Sequence, residues 1–299
     1  MEGKAFTVVH ESFKYTVHTA SVDALGEVPT WRPEEQALYW IDVRRPCLYR
    51  RDWATGAQRQ WIMPETIGTY VFRDDGNVLV GLQSGIGVFD LNSGTLRMVA
   101  APYADLPDMR FNDGHCDRQG RLWIGTMDNL KRGADGVLFR LDDRGLVQMA
   151  DQVVVPNSLC FSPDGTVMYF SDGRDPTIWA FTLDPETGDI SDRRVFAEMQ
   201  SGGAPDGATV DCQGCLWSTQ YGASRIDVFA PDGSLKRVIP VPAVQPTCVA
   251  FGGAEMQTLI VTTGRQNMSD SALAADTLAG AVLSLEVDVA GLEETPFRF

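Results

Sequence analysis

The chain has 299 residues, 44% of them hydrophobic and 22% charged, the balance of an ordinary soluble globular protein. A net charge of −15 argues against nucleic acid or anionic membrane as a partner, and no apolar stretch reaches the length that spans a bilayer. Residues 1–10 lack the apolar core of a secretion signal, so the chain is read as cytoplasmic and its six cysteines as reduced thiols.

An extended segment, residues 15–20, comes first and is expected to lend a strand to the last of a series of repeats. Six repeats follow, each a turn rich in Asp and Gly and then a short apolar burst. The bursts are Leu38-Tyr39-Trp40, Val78-Leu79-Val80, Leu122-Trp123-Ile124, Met168-Tyr169-Phe170, Leu216-Trp217-Ser218 and Leu259-Ile260-Val261. Their centres lie roughly 40 to 48 residues apart, the period of a four-stranded propeller blade. Hairpin turns stand just before the bursts at Asp74-Asp75-Gly76, Asp117 to Gly120, Ser162 to Gly165 and Asp211 to Gly214. A second turn series follows at Asn92-Ser93-Gly94, Asp142 to Gly145, Pro185 to Gly188 and Pro231-Asp232-Gly233. Gly accepts positive φ, and Asp hydrogen-bonds its own backbone, so both suit turns. The one helical candidate is residues 269–278, capped by Ser269. The expected fold is all-β, a six-bladed β-propeller with a central channel, in a single domain of residues 1–299.

About a dozen residues before the burst centres stand Glu27, Asn112, Asn157 and Asp206. Equivalent positions in a ring of blades share one level around one axis, so four polar side chains distant in sequence converge. Asp113-Gly114 and Asp206-Gly207 fall beside this register, whereas Asp75, Asp164 and Asp232 are turn residues. Arg110 precedes Asn112 by two, and strand alternation puts both on one side unless Arg110 pairs with a nearby acid such as Asp108. A guanidinium and an amide there suit the hydroxyl and carbonyl oxygens of a polar small molecule.

The three histidines, His10, His18 and His115, cannot supply a multi-histidine zinc site from the repeats. Oxygen ligands from Glu27, Asn157 and Asp206 instead favour Ca²⁺, Mg²⁺ or Mn²⁺, with Zn²⁺ or Fe²⁺ also compatible. Cys212 and Cys215 enclose Gln213-Gly214, which reads as a hairpin turn rather than a zinc knuckle. There is no G-x-S-x-G and no phosphate-binding glycine loop; Gly81, Gly85 and Gly87 fall in a strand context.

Taken in order, Leu25-Gly26-Glu27-Val28-Pro29-Thr30-Trp31, Arg110-Phe111-Asn112-Asp113-Gly114, Gly125-Thr126-Met127, Pro156-Asn157-Ser158-Leu159 and Pro205-Asp206-Gly207 resemble the SMP-30/gluconolactonase/regucalcin family. The run from Met268-Ser269-Asp270 to Leu278-Ala279-Gly280 resembles its last-blade insertion, and the likeness covers essentially the whole chain. It implies a propeller with one divalent metal held by Glu27, Asn157 and Asp206. It further implies substrate contacts from Arg110 and Asn112, and hydrolysis of a sugar lactone to the aldonic acid. Asp206 is then the residue that positions or activates water, and Asp128, just after Met127, joins the substrate-binding set. Val28 and Ser158 depart from the family pattern, which usually has Gly at both places. The partner expected is a small sugar lactone, with no nucleic acid, membrane or protein partner evident. Two other activities stay open: hydrolysis of phosphotriesters, as related metal-bearing propellers perform, and calcium binding without catalysis.

Overall fold

The six apolar bursts are the second strands of six antiparallel sheets in the computed structural model. It describes residues 6–10 (backbone alone), 12–20, 22–130, 132–173, 175–199 and 202–299; the first five residues, read above for a leader, lie outside these. The first blade is built in spatial order from Gly26–Arg32, Ala37–Asp42, Cys47–Asp52 and Gln58–Ile62. The second is Ile67–Phe72, Val78–Leu82, Ile86–Phe89 and Leu96–Ala100, and the third Met109–Cys116, Leu122–Asp128, Gly136–Asp142 and Gly145–Val153. The fourth is Pro156–Phe161, Val167–Asp172, Thr177–Leu183 and Ile190–Glu198, and the fifth Ala204–Val210, Leu216–Tyr221, Arg225–Phe229 and Leu235–Pro240. The sixth takes Pro246–Gly252, Thr258–Thr263 and Val282–Glu286, then Phe13–Val17 and Phe6–His10 from the N-terminus. The fold is a six-bladed β-propeller. The strand expected from residues 15–20 is Phe13–Val17, paired to Val282–Glu286 through Thr16↔Ser284 and Val17↔Leu283. A fifth strand, Phe6–His10, adds to it beyond the sequence expectation.

The strands group into two compact units. One comprises Met1–Ile62 and Ser201–Glu293, hence the first, fifth and sixth blades; the other comprises Met63–Gln200 and Glu294–Phe299. The first unit packs Tyr15 and Val17 with Trp217, Ile226, Phe251, Leu259 and Leu283. In the second, Phe297 from the chain end joins Leu79, Ile86, Phe111, Leu122 and Ile124. Second strands such as Ala37–Asp42 are buried on both faces, whereas fourth strands such as Gln58–Ile62 expose all but one residue. That is why the bursts carry a continuous apolar signal and the outer strands hardly any.

Hairpin aspartates tie the turns to the bursts. Asp211 accepts the backbone N–H of Gln213 and of Cys215, each at 2.9 Å, and the Trp217 indole N–H at 2.9 Å. Asp117 treats Gln119, Arg121 and Trp123 in the same way. The Cys212–Cys215 stretch is accordingly a turn, closed by Gly214 N–H on Asp211 O at 3.0 Å. The helix is shorter than the ten-residue expectation (269–278), spanning Asp270–Ala275 with Ser269 Oγ accepting from Ala272 N. It stops because Asp276 turns its carboxylate to Val244 N (2.7 Å) and Leu278 N (3.2 Å). Among the described residues no helix is long and apolar enough to cross a membrane.

One irregularity recurs in the first strand of every blade: a register break. In the first blade Glu27 pairs with Ile41 and Thr30 with Tyr39, so Val28 and Pro29 together face Trp40. Such a bulge re-aims the side chains around it, and bulges concentrate beside functional sites. Val28 (φ 51°) and Ser158 (φ 57°) follow Glu27 and Asn157 in the left-handed region. These are the two places where the resemblance leads one to expect Gly, the residue that takes this conformation without strain. A β-branched residue there is strained by roughly 1–2 kcal/mol, partly offset because Gly costs more unfolded-state entropy. Val28→Gly is therefore expected to stabilise by about 0.5–1 kcal/mol in urea unfolding. Ser158→Gly should gain less, because its buried hydroxyl accepts from Ser171 Oγ at 2.8 Å. Equal gains at the two sites would contradict this account.

Candidate functional site

The four register residues all lie at these bulges. Glu27 and Asn157 are the last paired residues before the break in their strands; Asn112 and Asp206 are the first residues within it. The remaining two blades present no such group. In the second, Gly68 occupies the bulge, where a Cβ would overlap the Phe111 carbonyl. In the sixth, the Thr247 hydroxyl is spent on Gly26 O at 2.5 Å. Gly207 after Asp206 is required for close approach, since a Cβ there would collide with Cys248.

In the second unit the polar residues form one hydrogen-bonded run. Arg110 Nη1 donates to Asn112 Oδ1 (2.6 Å) and to Phe111 O (3.0 Å). Asn112 Nδ2 donates to Asn157 Oδ1 (3.0 Å) and Pro156 O (2.8 Å). Arg110 Nε donates to Asn129 Oδ1 at 3.1 Å. Asn112 is thereby locked in one amide orientation by partners on both sides, with Asn157 oriented in turn. Asp108, the acid that could have paired with Arg110, instead meets Arg132 at 2.9 Å.

The structure does not bring Asp128 into this run. Its carboxylate accepts Leu130 N (2.9 Å), Arg132 N (3.1 Å) and Arg132 Nε (2.7 Å), closing the loop after the second strand of the third blade. The Arg132 hydrogen bond leads the causes that hold its pKa below the usual value. The neighbouring Asn129 is the residue that reaches Arg110. The sequence showed both as polar, but only the loop's closure on Asp128 decides which one turns inward. Asp113 lies outside the run as well, accepting Leu159 N at 2.8 Å; burial pushes its pKa up to about 6.

In the first unit, Glu27 and Asp206 both act on the Tyr221 phenol. Burial, with the charges of Asp206 and Glu27 adding to it, pushes this phenol up to about 12. Tyr221 was not marked by the sequence register, because it sits at the end of a second strand rather than in a bulge. Asp206 and Asn157 are each about nine-tenths buried, so their oxygens are largely withdrawn from bulk water. Among the described residues no three His, Cys, Asp or Glu side chains cluster as a metal site. The donor set at issue has two carboxylates and one amide.

Six four-stranded or longer blades, with polar side chains set at the bulges of their first strands, define the class of six-bladed β-propellers. The chain belongs to the SMP-30/gluconolactonase/LRE-like family, whose model matches residues 25–265. It is 37% identical over 292 residues to the 6-deoxy-6-sulfogluconolactonase of Pseudomonas putida, covering 97% of this chain and 99% of that one. It is 35% identical over 298 residues to the L-arabinolactonase of Azospirillum brasilense, covering 97% of each. Among solved structures it resembles a calcium-binding protein, regucalcin, from Agrobacterium tumefaciens, with a TM-score of 0.91 and 29% identity over 95% of this chain and 97% of that one.

Proposed function

We infer that this protein is a hydrolase that opens a sugar lactone to its aldonic acid with the help of one divalent cation. The observation that carries the reading is the Arg110–Asn112–Asn157 run, at the same bulge register as Glu27 and Asp206. The names of the similar lactonases above support the same reaction class.

Glu27, Asp206 and Asn157 are assigned as the cation's ligands. Their chemistry fits: three oxygen donors, two of them carboxylates that bear on one phenol and whose like charges a cation would relieve. An all-oxygen set favours Ca²⁺, Mg²⁺ or Mn²⁺, and Zn²⁺ or Fe²⁺ can also occupy it. When bound, such an ion polarises the lactone carbonyl. Arg110 and Asn112 orient the ring from side chains already fixed by hydrogen bonds: the Arg110 guanidinium donates to its oxygens, and Asn112 Oδ1, its amide N–H groups being taken by Pro156 O and Asn157 Oδ1, accepts from a ring hydroxyl. Asp206 holds the attacking water and draws off its proton. Ring opening completes when the leaving alkoxide takes that proton back from Asp206, or one from water, the abstracted proton then passing from Asp206 to solvent. Asp128 serves the substrate through the loop that delivers Asn129 to Arg110.

The test is lactone hydrolysis by metal-stripped protein, with spontaneous hydrolysis subtracted. A panel of pentono- and hexonolactones would be assayed with Ca²⁺, Mg²⁺, Mn²⁺, Zn²⁺ or anaerobic Fe²⁺ restored. Turnover that returns only with a cation is expected. Metal binding by calorimetry without turnover of any lactone would overturn the reading and favour a cation-binding protein without catalysis.

A further inference from the structure

Three second strands end on an aspartate that closes the loops beside it. Asp42 accepts Ala24 N, Leu25 N, Arg44 N and Arg45 N; Asp128 accepts Leu130 N and Arg132 N; Asp172 accepts Val154 N and Val155 N. At the register of Asp42 and Asp172, one residue nearer the bulge than Asp128, the fifth blade has Tyr221: it pairs with Ala204, the second residue before the bulge, as Asp42 pairs with Gly26 and Asp172 with Pro156. A phenol cannot replace a carboxylate as acceptor for several N–H groups at once. Tyr221 is therefore released from the loop-closing task that its counterparts perform.

Its oxygen lies beside two amides. In the orientation that satisfies its surroundings, Gln245 shares its two amide N–H groups among Tyr221 Oη (3.0 Å), Gly264 O (3.3 Å) and Gln266 O (3.2 Å), and its oxygen accepts from Tyr221 Oη at 3.3 Å. The Gln266 side chain, whose Oε1 accepts from Arg44 Nε at 3.1 Å, lies beside the phenol and works against the rise of its pKa. Each amide is thus anchored elsewhere, and the partly exposed phenol is fixed beside the charges of Asp206 and Glu27. A hydroxyl flanked by two amides offers donors and acceptors together and carries no charge. That is the pattern that matches another hydroxyl, which also donates and accepts, rather than an ionised group.

We propose that Tyr221, positioned by Gln245 and Gln266, is a specificity-determining residue that hydrogen-bonds a ring hydroxyl of the substrate. The site then takes polyhydroxylated lactones in preference to bare ones. This rests on the lactonase reading above. A site built to bond a hydroxyl discriminates against analogues that lack it, because its own polar group is then left unpaired.

The experiment compares Tyr221→Phe, which keeps the ring and removes one oxygen, with the unaltered protein. Three readouts are needed: kcat and KM for an aldonolactone and for unsubstituted δ-valerolactone, calorimetric affinity for the metal alone, and calorimetric affinity for the aldonic acid. The loss of one hydrogen bond should lower kcat/KM for the aldonolactone about 3–10-fold, mainly through KM. Aldonate binding should weaken by a similar factor, while δ-valerolactone turnover and metal affinity stay unchanged. Equal losses on both lactones, weaker metal binding, or no loss on either lactone would overturn the proposal. If the unaltered protein opens no lactone with any cation, the lactonase reading fails on its own. The aldonate affinities then decide the role of Tyr221, weaker binding by Tyr221→Phe supporting it and equal binding overturning it.

Discussion

Asp206→Asn is expected to lower kcat/KM for the preferred lactone by about 10²–10³-fold. That corresponds to roughly 2.7–4 kcal/mol, the cost of removing one preorganised group that stabilises a transition state. The substitution preserves size and leaves the bulge intact, since the tight approach there is made by Gly207 rather than by the Asp206 side chain. It removes a charge from the proposed ligand set and the basicity that draws a proton from water. Calorimetry separates the two effects: weakened metal binding reports the ligand role, and lost turnover at saturating metal reports the role toward water. Near-normal turnover at saturating metal would eliminate both.

Glu294→Ala is expected to destabilise the protein by about 2 kcal/mol near pH 6, the scale of a charge-assisted hydrogen bond. Glu294 meets the Nε2 of His115, and each side chain is only about a quarter exposed. Past it, Phe297 is buried, its N–H donates to Phe72 O (2.7 Å), and Arg298 N donates to Gly120 O (3.1 Å). The pair therefore holds the chain end onto the second and third blades. Burial opposes a charged His115 ring, but the Glu294 carboxylate, with Asp113, outweighs it and raises the pKa above 6.5. Burial likewise opposes ionised Glu294, and His115 outweighs it and lowers the pKa below 4.5.

The two shifts set the pH dependence. The raised His115 contributes stability that is complete below pH 6.5 and lost as pH rises through its folded value. The lowered Glu294 contributes stability that is complete above pH 4.5 and lost as pH falls through its folded value. The difference between the natural protein and Glu294→Ala, measured by urea unfolding, should thus be largest between pH 4.5 and 6.5 and shrink toward pH 9. A difference flat with pH would show that Glu294 acts by packing alone.

The blades were legible because their second strands are buried on both faces and the turns before them need Asp and Gly. The same signal fades in edge strands such as Leu235–Pro240, where half the residues are exposed and only one is buried. Glu27, Asn112, Asn157 and Asp206 were legible as a register because each precedes its burst by nearly the same interval. Asn129 and Tyr221 were not, since each owes its place to a partner far away in the chain or to the closure of a loop. The pairing of His115 with Glu294 spans 179 positions, and no local pattern encodes it.

By itself the sequence determined the repeat, the strand and turn chemistry, and the family to which the chain belongs. These depend on local preference and period, which a linear pattern records directly. Tertiary structure alone decided which polar atoms meet. It turned Asn129 rather than Asp128 to Arg110, set the Tyr221 phenol between two amides, and brought the C-terminal residues back to the second and third blades. Such contacts depend on bulges, loop closure and side-chain direction, which chains of similar pattern can satisfy in different ways.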